Sequence, residues 1–421
     1  MTLPHTGSGA GPSLSTCHLP SGLLQFAVGW APCLCHQTPA TYPERCSPPG
    51  VQPSQVLPCQ PAPPHTPLTS SRSSRIHYKT MIVEINSVEV DMHTLLSEQA
   101  EALLSRRREA IQQESSRLQQ LSYATDPHCE GDSGESVNGK QNKIEPGEKD
   151  YGSLPADSEL SPKEEAELQK GRAEILSRSQ GVFCDVQEDF WEVKKVLSRF
   201  DEWRGAFSES YHPAYISLCL PKLLNPLIRH QLLGWNPLHA AGEDFEALPW
   251  CSAVETVCHG LGYQEAEHTD RKTLPAIIEK TLLPKIQGFV ALVWDPLSSR
   301  QSVCLSELCR RLQDDYSLFE GKQSKPVKAF VEAVSGRLGS SVDDDIFIPH
   351  YPKKFLDDRS SPQRRSGDQQ FWTAMKLLGN MGQWDGLIPE HALKELMLDK
   401  LLNPLPYDDA TQRDPISGLC Q

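Results

Sequence analysis

The run "YISLCLPKLLNPLIRHQLLGWNPL", Tyr215 to Leu238, is among the most apolar in the chain, yet three prolines cut through it. Lys222, Asn225, Arg229 and His230 recur every three or four residues along it. That spacing puts polar groups on one helical stripe and leaves Leu223, Leu224, Leu227, Ile228 and Leu232 for another face. A stripe of this kind excludes a bilayer span. Proline inside a helix removes a hydrogen bond and clashes with the preceding turn, at about 3 kcal/mol. Pro221 and Pro226 therefore predict short helices that change direction, with Trp235-Asn236-Pro237 as the stop.

The same elements return in "PAIIEKTLLPKIQGFVALVWDPL" (275–297), in the order Pro-Ala, Leu-Pro-Lys, Trp-Asx-Pro-Leu. A third fragment, "KLLNPL" at 400–405, repeats 222–227 letter for letter. Trp235 and Trp294 stand at equivalent places, which suits a helical solenoid of two- or three-helix units. Chance recurrence of common residues accounts for the echo equally well.

Upstream, "VFCDVQEDFWEVKKVLSRFDEWR" carries the cleanest period in the chain. Phe183, Val186, Phe190, Val193, Leu197, Phe200, Trp203 and Phe207 are three or four residues apart, which predicts a helix with an aromatic seam. Such a seam packs in a core or against a partner helix far more often than it holds a cofactor. Ser161-Pro162-Lys163-Glu164 reads as its distant start, with Ser as N-cap, Pro in the first turn and Glu at N3.

From Met81 to about residue 125 the chain lacks Pro and Gly. Ile85, Val88, Met92, Leu95, Leu96, Leu103, Leu118 and Leu121 fall near one stripe, predicting a long amphipathic helix with coiled-coil character, closed by Asp126-Pro127. Residues 126–162 hold nine acids and three lysines and read as an acidic disordered linker. Residues 1–80 hold 14 of the 34 prolines and no apolar period, so they read as a disordered tail or a splice product. The organisation expected is tail (1–80), coiled-coil-like helix (81–125), linker (126–162), helical domain (163–403) and polar tail (404–421). The fold class expected is all-α, with Asp345 to Tyr351 as the sole strand-like piece.

The chain is acidic, with a formal net charge of −14. Nucleic-acid readers normally concentrate basic charge, because neutralised phosphates release counterions. Autonomous DNA binding is thus disfavoured. Arg106-Arg107-Arg108 and Arg364-Arg365 are the sharp basic clusters, and a solvated helix face or a sorting signal is their commoner use. Asp343-Asp344-Asp345 lacks the spaced partners of a cation site and reads as a turn or helix end. His350 has no nucleophile or orienting carboxylate to work with. The 13 cysteines are scattered; Cys184, Cys219, Cys251, Cys258, Cys304 and Cys309 read as small buried apolar residues of a reducing compartment. Cys33-Leu34-Cys35-His36 has no second ligand pair, and Gly22 to Cys35 lacks the positive start of a signal peptide. The common catalytic fingerprints are missing, so no catalytic, cofactor or metal residue is assigned.

The strings 215–238, "LPKIQGFVALVWDPLSSRQS", "DDDIFIPHYPKK" and "QFWTAMKLLGN", with the arm "SEQAEALLSRRREAIQQESSRLQQLS", resemble the GC-rich sequence DNA-binding factor family, including its Pax-binding paralogues. The likeness runs from about Met81 to Asn403. It implies a nuclear, non-enzymatic helical protein of the pre-mRNA splicing machinery, in late spliceosomal or excised-intron complexes with a G-patch protein and a DEAH-box helicase. Nucleic acid would be met only within such a complex, and no membrane is involved. The alternative implied by the family name is a GC-rich-sequence DNA-binding transcriptional regulator. The family's acidic N-terminal half and its last helices are missing from this sequence, which implies a truncated C-terminal domain. Candidate partner-interface residues are Phe183, Phe190, Phe200, Trp203, Phe207, Trp235 and Trp294.

Overall fold

The computed structural model describes residues 69–124, 154–239, 244–259, 269–319 and 323–403. Residues 1–68, most of the linker and the 404–421 tail lie outside them, and with them Cys33 to His36, Gly22 to Cys35 and Asp126-Pro127. Among the described residues the protein is all-α, with no strand. Ile346 to Tyr351 forms no regular element and pairs with no strand among the described residues, and Pro349 lacks a ladder donor.

The arm is one helix, α1 (Thr69–Ala124), of 56 residues and about 84 Å. It begins well before Met81, and it does not stand free. Met81, Ile85, Val88, Met92, Leu96, Leu104 and Leu118 are buried, and several of them belong to the same apolar core as the rest of the protein. Leu95 and Leu103 are half-buried, and Leu121 is exposed. The stripe predicted from the sequence is thus satisfied within the chain, by α2 (Pro162–Gln180), α5 (Ile216–Gln231) and α8 (Leu283–Leu292).

α2 starts where the sequence puts it. Glu164 N–H donates to Ser161 Oγ at 3.4 Å, and Ser161 N–H donates back to Glu164 Oε2 at 2.8 Å, a complete capping box. The aromatic seam is helical only in its second half, α3 (Val193–Ala206). Its first half makes two 3-10 turns, Gly181–Phe183 and Glu188–Phe190. The reason is tertiary. Phe183 stacks on Trp191 with ring centroids 5.0 Å apart, and a helix would separate residues eight apart by about 12 Å along its axis.

The short α4 (Ser208–Tyr211) leads to α5, and here the expectation of broken helices fails. Both Pro221 and Pro226 lie inside one 16-residue helix. Leu220, Leu223, Leu224, Leu227 and Ile228 are all buried along it, and each full burial contributes about 1.5–3 kcal/mol. That sum exceeds the penalty of two prolines. α6 (Pro249–His259) packs on α3 and is followed by α7 (Thr273–Ile277). A π-turn, Ile278–Leu282, joins α7 to α8. In it Leu283 N–H donates to Ile278 O, five residues back, just before Pro284. The second π segment, Glu395–Leu402, ends the same way: Asn403 N–H donates to Leu398 O at 2.9 Å, just before Pro404 in the sequence. Each wide turn is thus followed directly by a proline, whose ring in a regular helix clashes with the carbonyl four residues back.

α8 is apolar on nearly every side because α1 covers one face and α10 (Lys325–Asp345) another. α9 (Ser299–Tyr316) packs on α12 (Pro362–Gly382), and the short α11 (Lys353–Leu356) and α13 (Glu390–Lys394) complete the body.

The echo at Trp235 and Trp294 is structural as well as textual. Leu238 N–H donates to Asn236 Oδ1, and Leu297 N–H to Asp295 Oδ1, each at 3.0 Å. An arginine closes each turn from outside: Arg172 donates to Gly234 O at 3.2 Å, Arg337 to Trp294 O at 3.0 Å. The third fragment differs. Lys400, Leu401 and Leu402 are π-helical, whereas Lys222, Leu223 and Leu224 are α-helical.

Candidate functional site: the charged seams under the arm

The seven aromatic candidates do not share one surface. Trp294 is fully buried and lies 5.3 Å from Trp384, with its indole N–H donating to Ser302 Oγ at 3.3 Å. Phe183, Phe200 and Trp235 are buried too. Trp203 and Phe207 are half-buried, and Phe190 is 36% exposed. Trp203 meets Tyr211 edge-on at 5.8 Å and donates to Ser210 Oγ at 3.0 Å. Only the last three offer ring surface to another molecule.

The basic and acidic triplets, read separately in the sequence, meet. Arg107 makes a two-pronged bond to Asp295 at 2.6 and 3.1 Å and lies 3.4 Å from Asp345. Arg108 Nε donates to Asp345 at 2.7 Å, and Ser341 Oγ donates to the same carboxylate at 2.9 Å. Burial opposes the charge on Arg107, but its bonds to Asp295 and Asp345 hold the proton more firmly than usual. Arg106, 52% exposed, pairs with Glu164. A triplet so neutralised has little charge left for phosphates. Among the described residues no three His, Cys, Asp or Glu side chains gather as a metal site. His350 is an exposed loop residue, and Arg364 is tied to Asp368 and to Leu356 O.

A second seam comes from the linker's end. Residues 154–160, which form no regular element, pass between α1 and α12 and are fixed by Asp157. Its carboxylate accepts from Ser298 Oγ (2.8 Å), Ser299 N–H (3.1 Å) and Arg300 N–H (3.2 Å), capping α9. Lys376 Nζ donates to it at 2.6 Å and to Pro155 O at 2.7 Å. Burial would raise the Asp157 pKa, but Lys376, Ser298 and the helix amides draw it down to about 2. Beside this strap lies a cleft of about 410 Å³, lined by Leu103, Arg106, Arg107, Gln370, Thr373 and Lys376 among others. The acidic composition of 126–162 hid Asp157, whose partners are far off in sequence.

The third seam is Glu89, His93, Arg229 and Lys285. Arg229 Nε donates to Glu89 at 2.9 Å, and Lys285 Nζ lies 3.5 Å from the same carboxylate. Lys285 is also 3.4 Å from His93 Nε2. Burial lowers the affinity of Lys285 for its proton, with Glu89 partly restoring it. A lone lysine inside the apolar run 282–293 was the available sequence signal, and Glu89 and His93 sit one turn apart beside the arm's stripe.

Six cysteines lie among the described residues. Cys251, Cys258 and Cys309 are buried, Cys219 and Cys304 half-buried, but Cys184 is exposed, in the turn after Phe183. Among the described residues no helix is long and apolar enough to cross a membrane.

Residues 193–254 and 264–405 match the family model of the GC-rich sequence DNA-binding factor-like proteins. The mouse Intron Large complex component GCFC2 is 37% identical over 341 residues, 76% of this chain and 44% of its own length. The mouse PAX3- and PAX7-binding protein 1 is 39% identical over 236 residues, 56% of this chain and 26% of its own. The Transcriptional repressor ILP1 of Arabidopsis thaliana is 28% identical over 222 residues, 49% and 22% respectively. The chain thus spans less than half the length of each of these relatives.

Proposed function

Because the chain belongs to the GC-rich sequence DNA-binding factor-like family, through residues 193–254 and 264–405, we propose that it is a non-enzymatic nuclear scaffold of the pre-mRNA splicing machinery. It serves a late spliceosomal or excised-intron complex, with a G-patch protein and a DEAH-box helicase as partners. The relative named as an Intron Large complex component supports the setting. The single observation that carries the scaffold reading is the inward use of Arg107 and Arg108. Charge spent on Asp295 and Asp345 holds helices together and leaves recognition to protein surface. The half-open rings of Phe190, Trp203 and Phe207 are where a partner helix has surface to cover.

Affinity purification of the tagged chain from nuclear extract, with and without RNase, tests this. Splicing proteins are expected in both eluates. Their absence from both would overturn the reading.

A second reading, a DNA-binding transcriptional regulator, is favoured by the family's description and by the relative named as a transcriptional repressor. It requires salt-dependent binding of a GC-rich duplex by the purified chain, with preference over an AT-rich one. A gel shift showing no preference at physiological salt would count against it.

A further inference from the structure

The N-terminal half of the arm rests on α5 and α8 through apolar residues and one charged cluster, and the composition of that cluster is unusual for a static contact. Glu89 is the one anion. Facing it are Arg229 from α5 and Lys285 from α8, with His93 one turn further along α1. These four are the titratable groups that meet at this point of the arm. Lys285 is nearly sealed from solvent, at 2% side-chain exposure.

His93 is half-buried and faces α8. Its Nε2 is 3.4 Å from the Lys285 ammonium, so Nε2 accepts and Nδ1 carries the proton in the neutral ring. That Nδ1 is buried with no hydrogen-bond partner among the described residues. The ring leans on Phe289 at 5.6 Å, and its Cε1 comes so near Gly288 that a Cβ there would stand 2.9 Å away. A second proton on His93 would go to Nε2, the atom that now accepts from Lys285. The bond would be lost, and two cations would face each other at about hydrogen-bond distance, with one carboxylate already shared by three donors. Toward α8 the ring is blocked by Phe289 and Gly288.

We infer that Glu89, His93, Arg229 and Lys285 form a proton-operated catch, which holds residues 81–96 of the arm on the body while His93 is neutral and frees them when it is protonated. The direction is consistent with its surroundings: burial, then the Lys285 charge, lower the proton affinity of His93 in the docked state. Docking therefore favours the neutral ring. The contribution is complete above the ordinary histidine pKa of about 6.5 and is lost as pH falls below it. Freed, the arm would present Met81, Ile85, Val88 and Met92, an apolar stripe suited to another helix. The catch does not depend on which complex the protein serves.

Hydrogen exchange of the full chain, corrected for intrinsic rates, tests it between pH 7.5 and 5.5. Protection of peptides covering 81–96 is expected to fall as pH drops, by up to about ten-fold per pH unit for one linked proton. Peptides from α9 and α10 should keep their protection, which separates release of the arm from global unfolding. His93→Gln should stay docked at pH 7.5 and lose most of the pH dependence. Lys285→Met should reduce that dependence by removing the opposing charge. Unchanged protection in the wild type, or an undiminished fall in His93→Gln, would overturn the proposal.

Discussion

Arg108 and Asp345 are 237 residues apart in sequence and 2.7 Å apart in space, joining the middle of the arm to the end of α10. The bond belongs to a network with Arg107 and Asp295 in which Asp295 and Asp345 are almost wholly buried. Buried ion pairs add little over a well-packed apolar substitute, but removing one partner strands the other.

Arg107→Ala leaves Asp295 and Asp345 with a charge deficit in the interior. A loss of about 3–5 kcal/mol is expected, read from the shift in denaturant midpoint. Arg106→Ala, on an exposed pair, should cost less than about 1 kcal/mol. Equal costs at the two positions would mean the network carries no particular weight.

Asp157→Asn should weaken the cap on α9 and its bond to Lys376, at about 1–2 kcal/mol. The folded pKa lies below the unfolded one, about 2 against 3.8, so the stabilisation is present above 3.8 and disappears as pH falls through about 2. Wild type and variant should converge over that window in acid-titrated stability measurements. A gap that persists at the acid end would place the effect in packing.

Pro226→Ala restores the amide that α5 lacks, worth about 3 kcal/mol, against about 1.6 kcal/mol for two buried methylenes lost. The variant is expected to be more stable by about 1 kcal/mol, with a raised thermal midpoint. A lowered midpoint would show that the ring's packing outweighs the hydrogen bond.

Trp294→Ala should cost about 3–5 kcal/mol, because the ring is fully buried against Trp384. Phe190→Ala should leave the thermal midpoint within a few degrees and instead reduce co-purification of partners. If both variants lose stability alike, the Phe190 ring is part of the core.

Alkylation should separate the cysteines. Burial pushes the thiols of Cys251 and Cys258 up to about 12 and about 11, and Cys309 up as well. Mass spectrometry of the native chain treated with iodoacetamide should find Cys184 modified first and these three only on unfolding. Early labelling of Cys309 would contradict the packing of α9.

Periodicity carried most of the helical reading: the stripe of α1, the capping box of Ser161 and Glu164 and the second half of the aromatic seam were all legible. Local rules failed where distant contacts dominate. Pro221 and Pro226 remain inside α5 because its apolar face is buried along its length. Phe183 leaves the helix to stack on Trp191, and Ile346 to Tyr351 has strand composition but no strand among the described residues to pair with. The charged seams were invisible for a related reason. Arg107 and Asp345 each read as solvated in their own context, and only the fold supplies their partners. Lys285 was the exception, a charge misplaced in an apolar run.

The arm's reliance on Asp295 and Asp345 also bears on how the chain is made. Synthesis delivers Arg108 first, and at ~5–20 residues per second Asp345 follows about 12–50 s later. Early in that interval the arm lacks Asp295 and the α8 surface it packs on, and Asp345 is missing to its end. The ribosome-bound chain thus exposes a half-buried amphipathic helix that something must shield until α10 emerges.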